Sequence, residues 1–202
     1  MARKTPFPHP PGDLNERDLK LVEVRDSLYR IHDLKHTAIY FRKTDPSSKD
    51  YGYRFDDPKG EFGVLYAAVQ EDGAFAEVFL RELSSKLIDL DEVILRGLSE
   101  LHLSPLRCVD LTGEVLRGLG CDNRIATETD YEQTQMWSRA LHDHPDEPDG
   151  LIYLSRHDPQ FRCLAVFDRA KKKIRTRRPT QLISRMDWIA ERLEAYQLGV
   201  AP

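Results

Sequence analysis

Two arginines stand among apolar and aromatic neighbours in this sequence. Arg30 interrupts the end of an apolar run, and Arg54 lies between two aromatic residues, Tyr53 and Phe55. A guanidinium group presents several N–H donors in a planar fork, so a pair of such arginines suits an oxygen-rich anion such as phosphate. Salt bridges, or snorkelling of the charged end to solvent, explain the same pattern. On the residues alone, both explanations stay open.

Three further side chains are candidates for chemistry, and each also has a structural explanation. Glu77 falls in the first turns of a predicted helix, either as a catalytic carboxylate or as a favourable partner of the helix dipole. Tyr66 is central in an apolar run, either as a core residue or as a platform on which a heteroaromatic ring stacks. Ser155 follows another apolar run, where a turn hydroxyl is the default. None of the five residues identifies a site alone.

Several standard catalytic motifs are absent from the sequence. It has no glycine-rich phosphate loop, no Gly-x-Ser-x-Gly elbow, no paired Cys-x-x-Cys and no His-Glu-x-x-His. Cys108, Cys121 and Cys163 are an odd number without paired spacing, which favours buried thiols in a reducing cytosol over disulfides or a zinc site. His142 and His144 are the one close histidine pair, and the end of a surface helix accounts for them better than a metal. No metal site is expected.

Length and composition bound the fold that must position these residues. The chain has 202 residues, of which 40% are hydrophobic and 32% charged, as in a single soluble globular domain. Its net charge of -4 gives no general attraction to nucleic acid or anionic lipid, and a local basic run at residues 171–178 is interpreted as a solvated turn. Signal-peptide and membrane-spanning patterns are absent. We therefore expect a cytoplasmic protein that binds neither a membrane nor nucleic acid directly.

Hydrophobic patterns predict a mixed α and β domain without internal repeats. Strands are expected at residues 21–31, 63–69, 106–111, 150–154 and 161–167, and the second has the continuous apolar character of a buried central strand. The region 87–103 is ambiguous. A polar stretch up to Gly60 is long for a plain connection, which indicates a functional loop. Arg54 lies in this loop.

Capping residues and apolar stripes at helical spacing predict four helices. One helix is expected after Asp72 as N-cap, through about residue 85, and a short one opens at residues 112–113. A capping box formed by Thr129 and Glu132 begins a third helix that continues to about residue 144, and residues 180–196 form the last. The prolines at positions 6, 8, 10 and 11 indicate that residues 1–19 are an extended arm without regular structure, which in an oligomer lies across a partner. Residues 20–202 are then the folded domain.

The order of several short segments resembles the RES domain family, whose name records an Arg, a Glu and a Ser. Further similar features are residues 109–112, the Tyr131-x-x-Thr134-Gln135-x-Trp137 helix and the strand at 164–168. The match spans about residues 20–170, and the order of its segments is hard to obtain by chance. One departure is Asp56, where many members carry Asn or another uncharged residue; the expected effect is on substrate affinity, and no core catalytic position is removed. The segments that carry the five candidates are Leu28-Tyr29-Arg30, Gly52-Tyr53-Arg54-Phe55, Val64-Leu65-Tyr66-Ala67-Ala68, Ala76-Glu77-Val78 and residues 150–156, which end in Ser155-Arg156.

This resemblance implies a fold and an activity. The fold is a single α+β domain similar to ADP-ribosyltransferases, with a split, curved β core and flanking helices. Family members cleave the bond between nicotinamide and ribose in NAD, as an NAD glycohydrolase with water as acceptor or an NAD phosphorylase with inorganic phosphate. They commonly act as the toxin of a toxin–antitoxin pair, whose antitoxin is typically a helix-turn-helix protein. The resemblance further implies a homodimer and no cofactor, with NAD as substrate and phosphate as a possible co-substrate.

The resemblance also implies a role for each of the five residues. Arg30 and Arg54 hold the pyrophosphate or the adjacent ribose oxygens of NAD. Tyr66 packs against the nicotinamide or its ribose. Glu77 hydrogen-bonds the nicotinamide ribose and stabilises the positive charge that develops as the glycosidic bond lengthens. Ser155 orients the nicotinamide end or the same ribose. The catalytic residues are thus Arg30, Arg54 and Glu77.

Two other functions are compatible with the same site. One is transfer of ADP-ribose from NAD to a protein or nucleic acid. The other is a catalytically inactive binding module that keeps the fold. Retention of all five polar positions favours an enzyme over the inactive module.

Overall fold

A long mixed β-sheet runs through the middle of the molecule. The computed structural model describes residues 7–48, 52–82, 84 and 86–201. Within these residues the strands are β1 (Leu21–Val24), β2 (Leu28–Asp33), β3 (Val64–Ala68), β4 (Leu87–Asp89), β5 (Arg96–Leu103), β6 (Leu106–Asp110), β7 (Gly150–Leu154), β8 (Arg162–Phe167), β9 (Ile174–Thr176), β10 (Thr180–Gln181) and β11 (Gly199–Ala201). Nine of these described strands form one sheet in the order β1-β6-β7-β8-β3-β2-β5-β10, with β9 also paired to β5. Only the β6–β7 pair of this sheet is parallel in the described chain, and β4 and β11 form a separate parallel pair.

Helices flank the sheet. The α-helices of the described residues are α1 (Glu71–Phe79), α2 (Leu90–Ile94), α3 (Gly113–Leu119), α4 (Arg124–Thr127), α5 (Tyr131–His142) and α6 (Met186–Ala195). Short 3-10 helices lie at Leu14–Glu16, Asp168–Lys173 and Leu182–Arg185. In this part of the chain no helix is long and apolar enough to span a membrane.

Both faces of the central sheet are buried. Successive side chains of a strand point to opposite faces, so Val64 and Ala68 of β3 join the core beneath α1, α5 and α6, while Leu65 and Ala67 join a second core on the other face. The same alternation continues in β7 and β8. This burial on both faces explains the continuous apolar run of β3 and confirms the prediction of a buried central strand.

The sheet is nearly divided between β2 and β3. These two strands pair at a single position, Tyr29 with Ala68. On either side the pairing is longer, with five residue pairs between β3 and β8 and six between β2 and β5. Beyond the single contact β2 and β3 diverge, which opens a cleft through the sheet.

The strand predictions are correct except at the first strand. The run predicted at residues 21–31 is two strands, β1 and β2, which pair with different neighbours. Arg25, Asp26 and Ser27 separate them, because a charged, turn-forming segment interrupts the apolar pattern. The ambiguous region 87–103 contains β4, α2 and β5. The strands predicted at 106–111, 150–154 and 161–167 are confirmed as β6, β7 and β8, within one residue at each end.

Two helix starts and two helix lengths differ from the predictions. The N-cap of α1 is Gln70 instead of Asp72, and Asp72 accepts a hydrogen bond of 2.8 Å from Arg192 Nε of α6. Helix α1 ends at Phe79, and the predicted continuation at residues 83 and 85 lies outside the described residues. At α5 the N-cap is Asp130, so the capping box predicted at Thr129 is wrong by one position. The last predicted helix is α-helical only over α6, since β10 and a 3-10 helix precede it.

The described part of the N-terminal arm packs against its own chain. Phe7, Leu14 and Leu19 are buried in the core that α5 also joins, and Trp137 Nε1 of α5 donates a 2.8 Å hydrogen bond to the Pro8 carbonyl. The prediction of no regular structure is wrong over the 3-10 helix at 14–16, and position 6 lies outside the described residues. The domain boundary at residue 20 stays a prediction.

The histidine pair belongs partly to the interior. His144 is 3% exposed, and its Nε2 lies 3.1 Å from the Leu14 carbonyl oxygen, so the interpretation as a surface helix end is wrong for this residue. The His142 ring stacks on Phe62 with the centroids 3.8 Å apart. The three cysteines are free and buried as predicted. Burial raises the pKa of the Cys108 thiol to about 12, so it stays protonated at neutral pH.

Candidate active site

A cleft of about 380 Å³ opens where β2 and β3 diverge. Both strands, the segment 35–42, α1 and the start of β5 line it, so it receives side chains from both faces of the sheet. Its volume lies within the range of small-molecule and cofactor sites, roughly 300–1,000 Å³. The cleft is therefore the candidate active site.

Positive charge exceeds negative charge along the cleft. Three of its cationic side chains are ion-paired, Lys35 with Asp33, Arg42 with Asp56, and Arg96 with Glu92. The other two cations, Arg30 and Arg81, have no carboxylate partner in the described chain. An excess of unpaired guanidinium groups in a concave site favours an anionic ligand. The charged residues lining the cleft are Arg30, Lys35, Arg42, Arg81 and Arg96 with Asp33 and Glu77.

Arg30 is one of the two unpaired cations. The alternation of β2 points it to the face covered by residues 38–41, where its Nη1 donates hydrogen bonds of 2.6 Å to the Ala38 carbonyl and 3.0 Å to the Tyr40 carbonyl. Burial lowers the pKa of Arg30 to about 10, which leaves it protonated at neutral pH. Arg30 thus fixes the loop above it, while its half-buried charge has no carboxylate partner in the described chain. Such a charge is costly unless an anion pairs with it.

Arg54 lies behind the cleft and does not line it. It is 7% exposed, and its Nη1 donates a 2.7 Å hydrogen bond to the Glu128 carbonyl. Its guanidinium carbon lies 4.9 Å from the centre of the Tyr131 ring at the start of α5. Burial lowers the pKa of Arg54, and the nearby negative charge of Glu77 opposes this effect. Arg54 is therefore a buried guanidinium close to Glu77.

Glu77 presents a carboxylate oxygen without a partner. It stands on α1 and lines the cleft. Its Oε2 accepts a 3.2 Å hydrogen bond from the Tyr153 hydroxyl of β7, whereas Oε1 is buried and has no hydrogen-bond partner in the described chain. A buried acceptor left unpaired is unfavourable, and such groups mark sites where a ligand supplies the donor. A ligand hydroxyl in the cleft would satisfy Oε1.

Tyr66 contributes its ring to the cleft. Its hydroxyl accepts a 2.9 Å hydrogen bond from the Phe55 amide and donates one of 2.9 Å to Asp56 Oδ1. The ring meets Tyr53 edge to face, with the centroids 5.8 Å apart. Burial raises the pKa of Tyr66 well above its ordinary value, so the phenol stays neutral. The protein uses the polar end of this side chain, and the cleft receives its aromatic surface.

Ser155 holds a turn and does not line the cleft. It is 1% exposed, and its Oγ accepts hydrogen bonds from the amides of His157, at 3.1 Å, and Asp158, at 3.3 Å. The turn brings His157 near Glu77. Burial lowers the pKa of His157, and the negative charge of Glu77 opposes that shift. Ser155 is thus placed one layer away from the cleft.

The structure therefore brings Arg30, Tyr66 and Glu77 into one cleft, with Arg54 and Ser155 behind it. No three His, Cys, Asp or Glu side chains of the described residues converge in a way that could hold a metal ion. The metal-free site and the role of each residue stay predictions.

Sequence reasoning missed several residues around Glu77. Arg81 is the second unpaired cation of the cleft. Its Nε donates to the Glu77 carbonyl, and its guanidinium carbon lies 4.9 Å from the Tyr53 ring centre. Arg81 lies just beyond the end of α1, and its spacing of four residues from Glu77 could have identified it. Tyr153 and His157 carry no such local signal, because they are distant from Glu77 in sequence and approach it only in the folded chain.

Comparisons with known proteins agree with this architecture. A model of the RES domain family matches residues 27–188. A curated relative, "Probable toxin y4kH" of Sinorhizobium fredii (strain NBRC 101917 / NGR234), is 31% identical over 96 residues, which cover 48% of this chain and 75% of that protein.

A solved structure shares the fold. The chain is similar to one from the crystal structure of the M. tuberculosis MbcT–MbcA toxin–antitoxin complex, with a TM-score of 0.61, 16% identity, and coverage of 83% of this chain and 90% of the other. The prediction of a single α+β domain resembling the ADP-ribosyltransferase fold is confirmed. Since the family model spans most of its length, the chain belongs to the RES domain family.

Proposed function

We propose that this chain is an NAD-degrading enzyme that cleaves the bond between nicotinamide and ribose. The observation that carries the proposal is that one cleft holds a cation without a carboxylate partner and a carboxylate oxygen without a hydrogen-bond donor. Arg30 is a half-buried cation without a carboxylate partner in the described chain, and Glu77 Oε1 is a buried acceptor without a donor there. NAD offers both complements, a pyrophosphate for the guanidinium and ribose hydroxyls for the carboxylate.

The binding mode follows from where these groups stand. Arg30 contacts the pyrophosphate or an adjacent ribose oxygen, and Arg54 adds positive charge from behind the cleft. The Tyr66 ring packs against the nicotinamide or its ribose. Ser155 acts from the second layer, by holding the turn that carries His157 near Glu77.

Glu77 then serves the bond-breaking step. As the glycosidic bond breaks, its electron pair moves to the nicotinamide nitrogen, which leaves as a neutral molecule and needs no general acid. Positive charge develops on the ribose, as in glycoside cleavage, and the Glu77 carboxylate stabilises it. Attack on the ribose carbon by water gives ADP-ribose and a proton, whereas attack by inorganic phosphate gives ADP-ribose 1''-phosphate.

We further propose that the chain is the toxin of a toxin–antitoxin pair. The names of its relatives support this assignment, since one is a probable toxin and the other structure is a toxin–antitoxin complex. The proposed partners are a helix-turn-helix antitoxin and a second copy of this chain, and the proposed compartment is the cytoplasm. Covering the cleft would be the simplest way for an antitoxin to block NAD entry.

Incubation of the purified protein with NAD, with and without phosphate, tests the activity. We expect release of free nicotinamide, measured by chromatography, in at least one condition. Separation of ADP-ribose from ADP-ribose 1''-phosphate then identifies the acceptor. No release under either condition contradicts the proposal. Label transferred from NAD to macromolecules of a cell extract, without free ADP-ribose or its phosphate, would indicate an ADP-ribosyltransferase instead.

A further inference from the structure

Asp56 gathers three hydrogen-bond donors beside the cleft. Its side chain is fully buried. Oδ1 accepts from the Tyr66 hydroxyl at 2.9 Å, while Oδ2 accepts from the Tyr53 amide at 2.9 Å and from Arg42 Nη1. A buried carboxylate is stable only when it is paired and hydrogen-bonded in this way.

The three donors come from different parts of the cleft wall. Tyr66 stands on β3, and the backbone of Arg42 is bridged to the first residue of β3, Val64. Tyr53 lies in the loop that carries Arg54, and the Arg42 guanidinium carbon is 4.5 Å from its ring centre. Asp56 therefore ties the loop to β3 and fixes the angle at which the two tyrosine rings meet.

The neighbouring residue Asp57 provides a natural comparison. It too is fully buried, and it too pairs with one arginine, since Arg139 Nη1 of α5 donates to its Oδ1 at 2.9 Å. Its Oδ2 accepts a 2.7 Å hydrogen bond from the Glu61 amide. All the donors of Asp57 lie away from the cleft lining. The two aspartates match in burial and charge and differ in what they hold.

We propose that Asp56 is a positioning residue of the cleft. Its carboxylate holds the Tyr66 and Tyr53 rings as the aromatic wall against which the nicotinamide end of NAD packs, and it keeps the charge of Arg42 against that wall. The inference rests on the proposed NAD-cleaving function. Asp56 itself does not line the cleft, so it acts through the residues that it holds.

The comparison of Asp56→Asn with Asp57→Asn tests this role. Asparagine keeps the shape of aspartate but cannot accept from all three donors, because one side of its amide is a donor. The aromatic wall contacts the ligand before and during bond cleavage, so its loss weakens substrate binding more than it slows the chemical step. For Asp56→Asn we expect the KM for NAD to rise about tenfold, the effect of losing one hydrogen bond to a charged group, with kcat within about threefold.

The matched variant separates positioning from general stability. Asp57→Asn loses a buried charge of the same kind, and its denaturation midpoint should fall by a similar amount. Measured below that midpoint, its KM and kcat should remain those of the unchanged protein. Equal KM values for the two variants would overturn the proposal. Absence of nicotinamide release by the unchanged protein would instead overturn the proposed function.

A second variant covers the case in which Asp56→Asn does not fold. Tyr66→Phe keeps the ring and removes the hydroxyl that binds Asp56 and the Phe55 amide. We expect the KM for NAD to rise about threefold or more with little change in kcat. An unchanged KM for Tyr66→Phe would show that the ring needs no anchor at Asp56, which contradicts the proposal.

Discussion

Glu77 and Arg30 lie on opposite faces of the sheet, and both line one cleft because the sheet opens between β2 and β3. Glu77 has one partnered and one unpartnered oxygen, and Arg30 uses one nitrogen to hold a loop while its charge lacks a carboxylate. A ligand that brings an anion to Arg30 and a hydrogen-bond donor to Glu77 supplies the partner that each group lacks. Two substitutions therefore test the proposed site, one that removes the charge of Glu77 and one that replaces the guanidinium group of Arg30.

Substitution Glu77→Gln should nearly abolish nicotinamide release while leaving the protein folded. Glutamine keeps the size of the side chain and can still accept from the Tyr153 hydroxyl, but it lacks the negative charge that stabilises the positive ribose. We expect kcat to fall by about 100-fold, as when one preorganised electrostatic group is removed from an active site.

The matched control for this variant is Glu71→Gln on the same helix. Glu71 accepts a 3.0 Å hydrogen bond from Arg185 and does not line the cleft. Its loss should leave kcat within about twofold, in line with the small effect of a partly exposed ion pair. A Glu77→Gln protein with unchanged kcat, or unchanged toxicity in a host cell, would favour the inactive binding module.

Substitution Arg30→Lys should weaken NAD binding although it keeps the charge. Lysine lacks the planar fork, so it cannot hold the Ala38 and Tyr40 carbonyls and still present donors to a pyrophosphate. We expect the KM for NAD to rise about tenfold or more, the loss of a charged hydrogen bond. The control is Arg25→Lys at an exposed ion pair with Glu23, which should leave KM unchanged. Equal KM values for the two variants would argue against a direct contact of Arg30 with the substrate.

At the scale of single residues, the sequence predicted which side chains belong near the site better than it predicted their contacts. Arg30, Tyr66 and Glu77 were identified from the order of their segments, and they do line one cleft. The residues alone favour a turn hydroxyl at Ser155, and its Oγ does hold a turn. The anchoring of Tyr66 by Asp56 could not be predicted, because it depends on how a long loop folds back onto β3.

Helix α5 shows how an element supports the site from outside it. Its first turn places the Tyr131 ring against Arg54, and Thr134 Oγ1 donates a 2.7 Å hydrogen bond to the Arg54 carbonyl. The preceding residue Asp130 caps the helix by accepting from the Glu132 amide at 3.1 Å. A stable start of α5 is therefore needed to hold Arg54 behind the cleft.

Loss of the cap should lower stability at the position that the structure identifies. Asp130→Ala removes the side-chain acceptor of the cap and should lower the free energy of unfolding by about 1 kcal/mol. Thr129→Ala is the control, since the Thr129 hydroxyl interacts with Glu128 instead of the helix. Its effect should stay within about 0.5 kcal/mol. Urea denaturation of both variants measures the difference, and a larger loss for Thr129→Ala would restore the capping box predicted from sequence.

Element prediction succeeded where the signal is local and failed where it is not. The apolar runs of β3, β6, β7 and β8 are visible in the sequence, since a strand buried on both faces is apolar throughout. The start of α5 was misplaced by one residue because Thr129 and Asp130 are both good caps and only backbone geometry selects between them. The break of the first predicted strand depends on pairing with two different neighbours, which no local pattern records.

At the scale of the whole molecule, buried and half-buried histidines couple folding to pH. His32 lies between Ser99 and the Asp33 carbonyl, with Nε2 3.0 Å from Ser99 Oγ. Burial is the largest cause of a lowered pKa for His32, His142 and His157 alike. The unfolded chain takes up protons on these rings near pH 6.5, while the folded chain resists doing so. The free energy of unfolding should therefore fall as pH decreases below about 6.5.

The carboxylates change the free energy of unfolding either at lower pH than the histidines or in the opposite direction. Hydrogen bonds lower the pKa of Asp33, Asp45, Glu82 and Asp122, so the stability that these groups contribute is lost only at more acidic pH, as it falls through their folded-state pKa values. Burial raises the pKa of Asp56, so its folded-state protonation opposes the histidine effect. The window between pH 7.5 and 5.5 lies above the titration of the depressed carboxylates and isolates the histidines best.

Denaturant unfolding at fixed protein concentration tests this coupling. Each histidine that stays neutral in the folded state lowers the free energy of unfolding by up to about 1.4 kcal/mol per pH unit below its unfolded pKa. We expect a clear decrease from pH 7.5 to 5.5, and a smaller decrease in a His32→Gln variant, because glutamine has no proton to take up. Constant concentration is needed because a homodimer would make stability depend on it. If the two proteins lost the same stability over this range, the burial of His32 would not be a source of the pH dependence.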